Sequence, residues 1–320
     1  GLFRCITDNG AGGISCSFGE MGKYSGGCEC ELSEAPLKYE GMQPWEILIS
    51  EAQERMTLAV QPDKKNDFEK LAKRRDVEVS FMGKFDNSGY FTVKNNNKII
   101  ASIDMKFLYD DGCPTMVMPA VWNKPSIQQP NIPKQVNFKD VLLSLIESLN
   151  LCSREYKSRM YDGEVKGLSV VKPFVGKKSD VPSDATVLRI DYESNRGAIL
   201  AEGINPWYSD LDTYDMTASV IDEAVRKIIA VGGDLKRIAI LDNFCWPDPV
   251  ESEKTPDGAY KLAQLVRSCK ALYDYTTLYK TPAISGKDSC KNDSTRGGKK
   301  ISIPPTLLIS SIGQINDVQK

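Results

Sequence analysis

The order of apolar and polar positions divides the chain into elements before any other property is considered. Alternation of period two sends successive side chains to opposite faces of a strand. It runs through CECELSEAPL from Cys28 and VEVSFMGKF from Val77. It continues in GYFTVKNNNKIIASIDM from Gly89, where an asparagine-rich turn separates two strands. Apolar residues three and four apart predict helices over Asp67–Arg75, over FKDVLLSLIESLNL from Phe138 (the clearest amphipathic stretch), and over Ser153–Tyr161. Ala218–Ala230 predicts another helix, stopped by Gly232 and Gly233, and Tyr260–Tyr279 one more. ATVLRIDY, GAILAEGI and RIAILDNF read as apolar strands, TPAISGKDS as a strand entering a loop, and ISIPPTLLISSIGQI as a β-rich close. Two stretches stay open: PWEILIS from Pro44 as a helix or tight turn, and Glu51–Val60 as a short helix end or a strand. Helices mixed with antiparallel strand pairs predict an α+β chain of two mixed α/β-sheet domains. A boundary falls near Asp110-Asp111-Gly112, and the five prolines between 113 and 135 mark a linker.

Composition narrows the classes. The 320 residues suffice for two domains, and 41% hydrophobic with 26% charged residues is the balance of a soluble globular chain. A net charge of −2 offers no broad attraction to nucleic acid or to an anionic membrane, and the KRR run at Lys73–Arg75 reads as a solvated helix face. No window approaches about 18 consecutive apolar residues, so no membrane-spanning helix is expected. The chain carries no secretory signal pattern and opens within a motif, as a piece of something longer would. Nine cysteines without a CxxC pair, and no histidine, argue against a zinc site of the usual type. They read as reduced, mostly buried thiols of a cytoplasmic protein. Without histidine, acid–base chemistry falls to Asp, Glu, Lys, Tyr or Cys, or to a group supplied from elsewhere.

Five places set glycine or sharp turns beside polar side chains: Asp8–Gly13, Glu51–Arg55, Leu211–Thr217, Leu241–Pro249 and Ser285–Ser289. TDNGAGGIS, from Thr7, is either a plain turn or a phosphate-facing loop with Asp8 as a hard oxygen ligand for magnesium. SGKDS lacks the first glycine of a Walker A loop; Lys287 offers a charge for phosphate and Asp288 a metal ligand, or the segment is a bare strand-to-loop transition. In LDNFCWPDP, Asp242, Asn243 and Asp248 form a grip for ribose or metal, or an Asx-rich turn. SEAQERM offers Glu51, Gln53, Glu54 and Arg55 as directional hydrogen-bonding groups, or a Glu51–Arg55 ion pair on a helix surface.

Together these segments resemble one family. TDNGAGGIS followed by PLKYEGMQPWEILISEAQERM is similar to the formylglycinamidine ribonucleotide synthases of purine biosynthesis, of the aminoimidazole ribonucleotide synthetase-like ATP-binding superfamily. DTYDMTASVIDEAVRKIIAVGGDLKRIAILDNF and ISGKDS…IPPTLLISSIGQINDV resemble the second repeat of that family in order and spacing. The resemblance implies a first C-type domain over 1–112, a proline-rich linker with connecting helices over 113–163, and a second N-type domain over 164–320.

The implied reaction is ATP-dependent amidation, converting formylglycinamide ribonucleotide, glutamine-derived ammonia and ATP to formylglycinamidine ribonucleotide, ADP and phosphate. The family pattern implies that Asp8 binds magnesium and that Glu51, Ala52, Gln53 and Ser289 contact substrate. It puts Asp242 and Gly286 at the nucleotide and a metal contact at Asp288 or Lys287. Three positions depart from the pattern. Ala52 replaces a usual serine, Tyr161-Asp162-Gly163 stands where Tyr-Asp-His is common, and SGKDS follows the longer family members whereas WEILISEAQERM follows the shorter, multi-subunit ones. The family's catalytic histidine belongs to an N-type domain outside this sequence, so no catalytic residue is assigned and the chain alone is expected to be inactive. A glutaminase and a small bridging subunit are the implied partners. The competing class is a non-catalytic nucleotide-binding or assembly module of the same superfamily; a kinase of the thiamine-phosphate or selenophosphate type is a weaker alternative.

Overall fold

The computed structural model describes residues 1–110, 112, 114, 116–131, 137–160 and 164–320. Tyr161-Asp162-Gly163 lies outside the described residues. The chain divides into two compact units, Gly1–Met116 and Val117–Lys320.

The first unit runs β1 (Phe3–Asp8), α1 (Gly13–Ser25), β2 (Cys28–Glu31), α2 (Pro44–Ile49), β3 (Met56–Val60), α3 (Lys65–Arg74), β4 (Gly83–Phe85), β5 (Tyr90–Asn95), β6 (Lys98–Asp104) and α4 (Met105–Tyr109). Four strands form one sheet in the order β4-β2-β5-β6, with β2 parallel to β5. Asn96 and Asn97, both at positive φ, make the tight turn between β5 and β6, as asparagine allows. β1 and β3 form a separate antiparallel ribbon that sets Asp8 opposite Met56. Ile14 and Phe18 of α1 pack with Cys28, Cys30, Phe91 and Val93 into the core.

The second unit runs α5 (Phe138–Glu147), α6 (Glu155–Met160), β7 (Ser169–Val171), β8 (Phe174–Val175), β9 (Val181–Pro182), β10 (Thr186–Arg189), β11 (Gly197–Ile204), α7 (Thr213–Ala230), β12 (Ile238–Cys245), α8 (Gly258–Tyr279), β13 (Ala283–Ser289), β14 (Ser294–Arg296), β15 (Lys299–Ile301) and β16 (Thr306–Ile315). Its main sheet has the order β13-β12-β16-β11-β10-β7. The edge strand β13 is parallel to β12; the other pairings are antiparallel. Met216, Val220, Ile221, Ala224, Val225 and Ile228 of α7 recur at helical spacing and are buried with Ile199, Ile240, Phe244 and Ile309 of the sheet. Each of these side chains other than Ala224 contributes about 1.5–3 kcal/mol of apolar burial. Within this unit the Trp122 ring stacks on Tyr260 at 5.4 Å, and the Arg267 guanidinium lies over the same Trp122 ring at 4.5 Å.

The predicted α+β class holds, with several local corrections. The helix α1 was not anticipated, because GISCSFGEMGKYS is rich in glycine and serine, poor helix formers. Tertiary packing explains the choice: a side chain at Gly19 would run into the Tyr109 hydroxyl, and one at Gly22 would lie 2.7 Å from the Cys28 sulfur. VEVSFM is not a strand; pairing starts at Gly83 because its partner β2 is only four residues long. The open stretches resolve as helix α2, whose Gln43 and Glu46 make a capping box around Pro44, and as strand β3. SGKDS is not a loop but the end of β13, drawn into the sheet by its pairing with β12. The amphipathic stretch from Phe138 is helical, yet none of its residues is buried. Of the described cysteines only Cys28 and Cys30 are buried, so "mostly buried" fails; Cys5, Cys245, Cys269 and Cys290 are exposed, and all eight are free thiols.

Candidate functional site

In the first unit the chain brings together two loops that the sequence separates by about forty residues. One is Asp8–Gly13, between β1 and α1. Asp8 ends β1, and its Oδ1 accepts the Gly10 N–H at 2.8 Å, an Asx turn that starts the loop. The loop closes with the Gly13 N–H donating to Gly10 O at 2.8 Å. Gly12 caps α1 in the left-handed region, and Gly13 follows at φ 58. A Cβ at Gly13 would strike the Ser50 carbonyl oxygen and come within 2.8 Å of Ser50 C and 2.9 Å of Ile49 C. The glycine therefore serves two needs, backbone conformation and close approach.

The other loop is Ser50–Arg55, between α2 and β3. It is not helical, so the Glu51–Arg55 pair on a helix surface does not form. The Arg55 guanidinium instead donates from Nη2 to Ser50 O at 2.8 Å and straps its own loop, while Glu54 sits at φ 64. The Glu51 carboxylate accepts the Gly12 N–H at 3.4 Å, a long bond at the positive end of α1, and the Asn9 N–H donates to Arg55 O at 3.2 Å. Ala52 is half-buried, and Glu51 and Gln53 are exposed. Burial pushes the Arg55 guanidinium below its ordinary value, and its Nε is buried without a hydrogen-bond partner. Sequence reasoning missed the tie between the first loop and its flanking elements: Asn9, buried at 8% exposure, accepts from the Ser17 hydroxyl of α1 at 2.5 Å and the Thr57 hydroxyl of β3 at 2.9 Å. Asn-Gly in TDNGAGG signalled a turn and nothing of this network.

The second unit presents a strand pair. Along β12 the residues Ile238, Ile240 and Phe244 are buried, and Asp242 shares their parity. The parallel register sets Asp242 opposite Gly286, Asn243 opposite Lys287, Phe244 opposite Asp288 and Cys245 opposite Ser289. Asp242 and Asp288 therefore share one face, and Lys287 and Ser289 the other. A Cβ at Gly286 would lie 2.8 and 2.9 Å from the Asp242 carboxylate oxygens, so glycine leaves the space that the carboxylate fills. Burial, with the nearby Asp288 charge, pushes the Asp242 carboxyl above its usual range. Two carboxylates on one face of the strand pair are hard oxygen donors of the kind a divalent cation takes, although among the described residues no third Asp, Glu or Cys joins them in a metal-ligating cluster.

Asp248 is placed elsewhere. Its Oδ1 accepts the Val250 N–H at 3.1 Å in an Asx turn, and Lys300 bridges its Oδ2 to Asp293, each at 3.1 Å. That cluster, with Trp246 N–H donating to Ser289 O at 2.8 Å, ties the loop after β12 to the loop after β13. The Asx-turn reading holds for Asp248, whereas Asp242 and Asn243 lie within the strand. Among the described residues no helix is long and apolar enough to cross a membrane.

Comparison with known proteins gives these segments a setting. Residues 1–95 match the family model for "AIR synthase related protein, C-terminal domain". The whole chain is 31% identical to the phosphoribosylformylglycinamidine synthase subunit PurL of Thermoplasma volcanium and 32% to that of Methanocaldococcus jannaschii, covering 40% and 41% of those proteins. Among solved structures it is similar to Thermotoga maritima PurL complexed with AMPPCP, with TM-score 0.67 and 25% identity over 99% of this chain and 48% of that one. The same protein complexed with FGAR gives 0.66 and 26%, over 99% and 46%, and the structure of PurLQS from Thermotoga maritima 0.66 and 26%, over 99% and 47%. The chain spans about two fifths of the length of the curated relatives it matches.

Proposed function

We propose, from the premise that the chain belongs to the aminoimidazole ribonucleotide synthetase-like family and there matches the phosphoribosylformylglycinamidine synthases along its whole length, that it forms part of an ATP-dependent C–N ligase of purine biosynthesis. The single observation that carries this reading on the chain's own residues is the Asp242–Gly286–Asp288 arrangement on adjacent parallel strands. Mg-ATP, when bound, supplies the phosphoryl group that activates the formamide oxygen of formylglycinamide ribonucleotide for attack by glutamine-derived ammonia. Asp242 and Asp288 would hold the metal ion that accompanies the nucleotide, and Gly286 leaves room beside the Asp242 carboxylate. Ser289, on the other face of β13, faces substrate. In the first unit, taken by itself, Asp8 would offer magnesium an oxygen ligand, a phosphate at the glycine loop would take over the Gly12 N–H from its long 3.4 Å bond to Glu51, and Glu51, Ala52 and Gln53 contact substrate, Ala52 by backbone and packing alone. Such chemistry needs positioned donors and ions more than covalent participation by the protein, which suits a chain without histidine.

Turnover by the 320 residues alone is not expected, and a glutaminase and a small bridging subunit are the partners proposed for the working cytoplasmic enzyme. The relatives support this assignment: one solved structure holds FGAR, others hold AMPPCP, ADP or ATP, and one is the PurLQS assembly. Calorimetric titration of Mg-ATP into the chain, beside an Asp242→Ala, Asp288→Ala double variant, tests the nucleotide site. Saturable heat that the variant loses supports it. Equal binding by both removes Asp242 and Asp288 from the site, and an absence of heat removes a self-sufficient nucleotide site from the second unit.

A further inference from the structure

We propose that Asn9 is the positioning residue of the first unit's cradle: its buried carboxamide ties the Asp8–Gly13 loop to α1 and to β3, its backbone N–H ties it to Arg55 of the neighbouring loop, and together they set where Asp8 stands. The inference rests on reading that cradle as a metal-and-phosphate site, and the experiment below separates the two.

Three segments converge on one side chain. Asn9 Oδ1 accepts from Ser17 Oγ at 2.5 Å and from Thr57 Oγ1 at 2.9 Å, and the two hydroxyls are themselves 2.9 Å apart. Ser17 is fully buried on α1, which carries the glycine loop at its N-terminus, and Thr57 is the second residue of β3, directly after Arg55 and Met56. The backbone of Asn9 adds a third tie, its N–H donating to Arg55 O at 3.2 Å. Asp8 precedes Asn9 at the end of β1, where it pairs with Met56 of β3 and accepts the Gly10 N–H in its Asx turn. Among the described residues no lysine or arginine forms an ion pair with Asp8.

Energetics favour a role in geometry over one in stability. Asn9→Leu keeps the branching at Cγ, and the hydroxyls that lose their acceptor can re-pair, Ser17 with Thr57 at 2.9 Å or with Ile14 O at 3.2 Å, so the loss stays below the roughly 1–3 kcal/mol of a stranded buried group. What the polar network adds is direction: it accepts one arrangement of α1, β1 and β3, where an apolar contact tolerates sliding. Asp8, one residue from the centre of that network, inherits its placement.

The test uses the whole 320-residue chain with Asn9→Leu, Thr57→Val, their double variant and Asp8→Asn. Amide hydrogen exchange reads the loops, and Mn2+ uptake followed by electron paramagnetic resonance reads the site. In Asn9→Leu, exchange over residues 8–13 and 50–56 rises about tenfold while Phe91 and Val93 keep their protection. Thr57→Val, which keeps the volume, raises it less. The double variant is no faster than Asn9→Leu, because Thr57 acts through Asn9. Mn2+ affinity falls about tenfold in Asn9→Leu and is lost in Asp8→Asn. Unchanged exchange in both loops overturns the proposal whatever Mn2+ does, and so does a rise in Phe91 and Val93 equal to that of the loops. Mn2+ affinity untouched in Asn9→Leu but lost in Asp8→Asn also overturns it. Mn2+ held equally by the native chain and Asp8→Asn, or by neither, overturns instead the reading of the cradle as a metal site, with exchange still deciding the role of Asn9.

Discussion

Gly13→Ala is the sharpest test of how the two loops are built. Two effects add at this position. An alanine at φ 58 occupies the left-handed region, at a cost of about 1 kcal/mol. Its Cβ also meets the Ser50 carbonyl and lies 2.8 Å from Ser50 C, backbone that cannot rotate away as a side chain would, and overpacking of that kind adds about 2 kcal/mol. Gly41 provides the control: it has φ 80, but nothing lies within 4 Å of its Cβ, so Gly41→Ala carries only the conformational cost of about 1 kcal/mol. The assay is hydrogen exchange at Phe91 and Val93, which are 4% and 1% exposed in the core of the same unit and report its opening free energy. At about 1.4 kcal/mol per factor of ten, Gly13→Ala lowers protection by roughly 150-fold and Gly41→Ala by roughly fivefold. Equal losses in the two variants would refute the reasoning, since they would mean that Ser50 does not press on Gly13 and that the loops are not packed as one cradle.

Three further outcomes follow from the second unit. Asp242, whose carboxyl is raised above 3.8 by burial and then by Asp288, is more comfortable protonated in the fold. Its stabilising contribution is present below that value and lost as pH rises through the folded one, so Asp242→Asn is more stable than the native chain at pH 7 and equal to it near pH 3, as paired thermal melts will show. Thr217 and Ser268 share a hydrogen bond of 2.6 Å and are both fully buried; Thr217→Val strands the Ser268 hydroxyl and costs about 1–3 kcal/mol in urea unfolding, part of which Thr217→Val with Ser268→Ala recovers. Burial pushes the Asp293 carboxyl up, but the Asp248 N–H and Lys300 outweigh it and hold the group below 3.8. The stability it contributes is therefore present above 3.8 and lost as pH falls through the lower folded value, and melts of Lys300→Met show a weaker acid-side decline than the native chain.

The elements that could be read from sequence are those whose local pattern and tertiary role agree. Ala218–Ala230 is helical by its own spacing, and the same spacing faces the sheet; the structure only extends it back to Thr213, where Asp212 caps it by accepting the Tyr214 N–H at 2.9 Å. GYFTVKNNNKIIASIDM declared a hairpin because its asparagines suit the turn that the strands require. What failed was local reasoning where distant neighbours decide. Nothing in GISCSFGEMGKYS says helix until Tyr109 and Cys28 are known to press on its glycines. SGKDS reads as a loop because lysine and aspartate are uncommon within strands. It remains extended because it is a sheet edge with β12 on one side only.

The candidate sites show the same division more sharply. Each loop was visible as a cluster of glycine and polar residues, but the bond joining them, Gly12 to Glu51, and the one tying Asn9 to Thr57 on β3 span 39 and 48 residues and leave no periodic trace. What they do leave is a set of violated preferences. Glu54 takes a left-handed backbone that costs a non-glycine residue about 1–2 kcal/mol. Arg55 buries a nitrogen without a partner, and Asp242 is partly buried near a second carboxylate. A chain selected only to fold would replace these residues at a gain, by glycine at 54, an uncharged side chain at 55 and asparagine at 242. Sequences that specify a fold agree with themselves at each level except where another demand competes. Such disagreements occur elsewhere too, at Lys166, Ser179 and Thr281 among others, so what sets the Ser50–Arg55 loop and the β12–β13 pair apart is that there they stand beside a glycine whose Cβ would meet a neighbouring element and beside carboxylates.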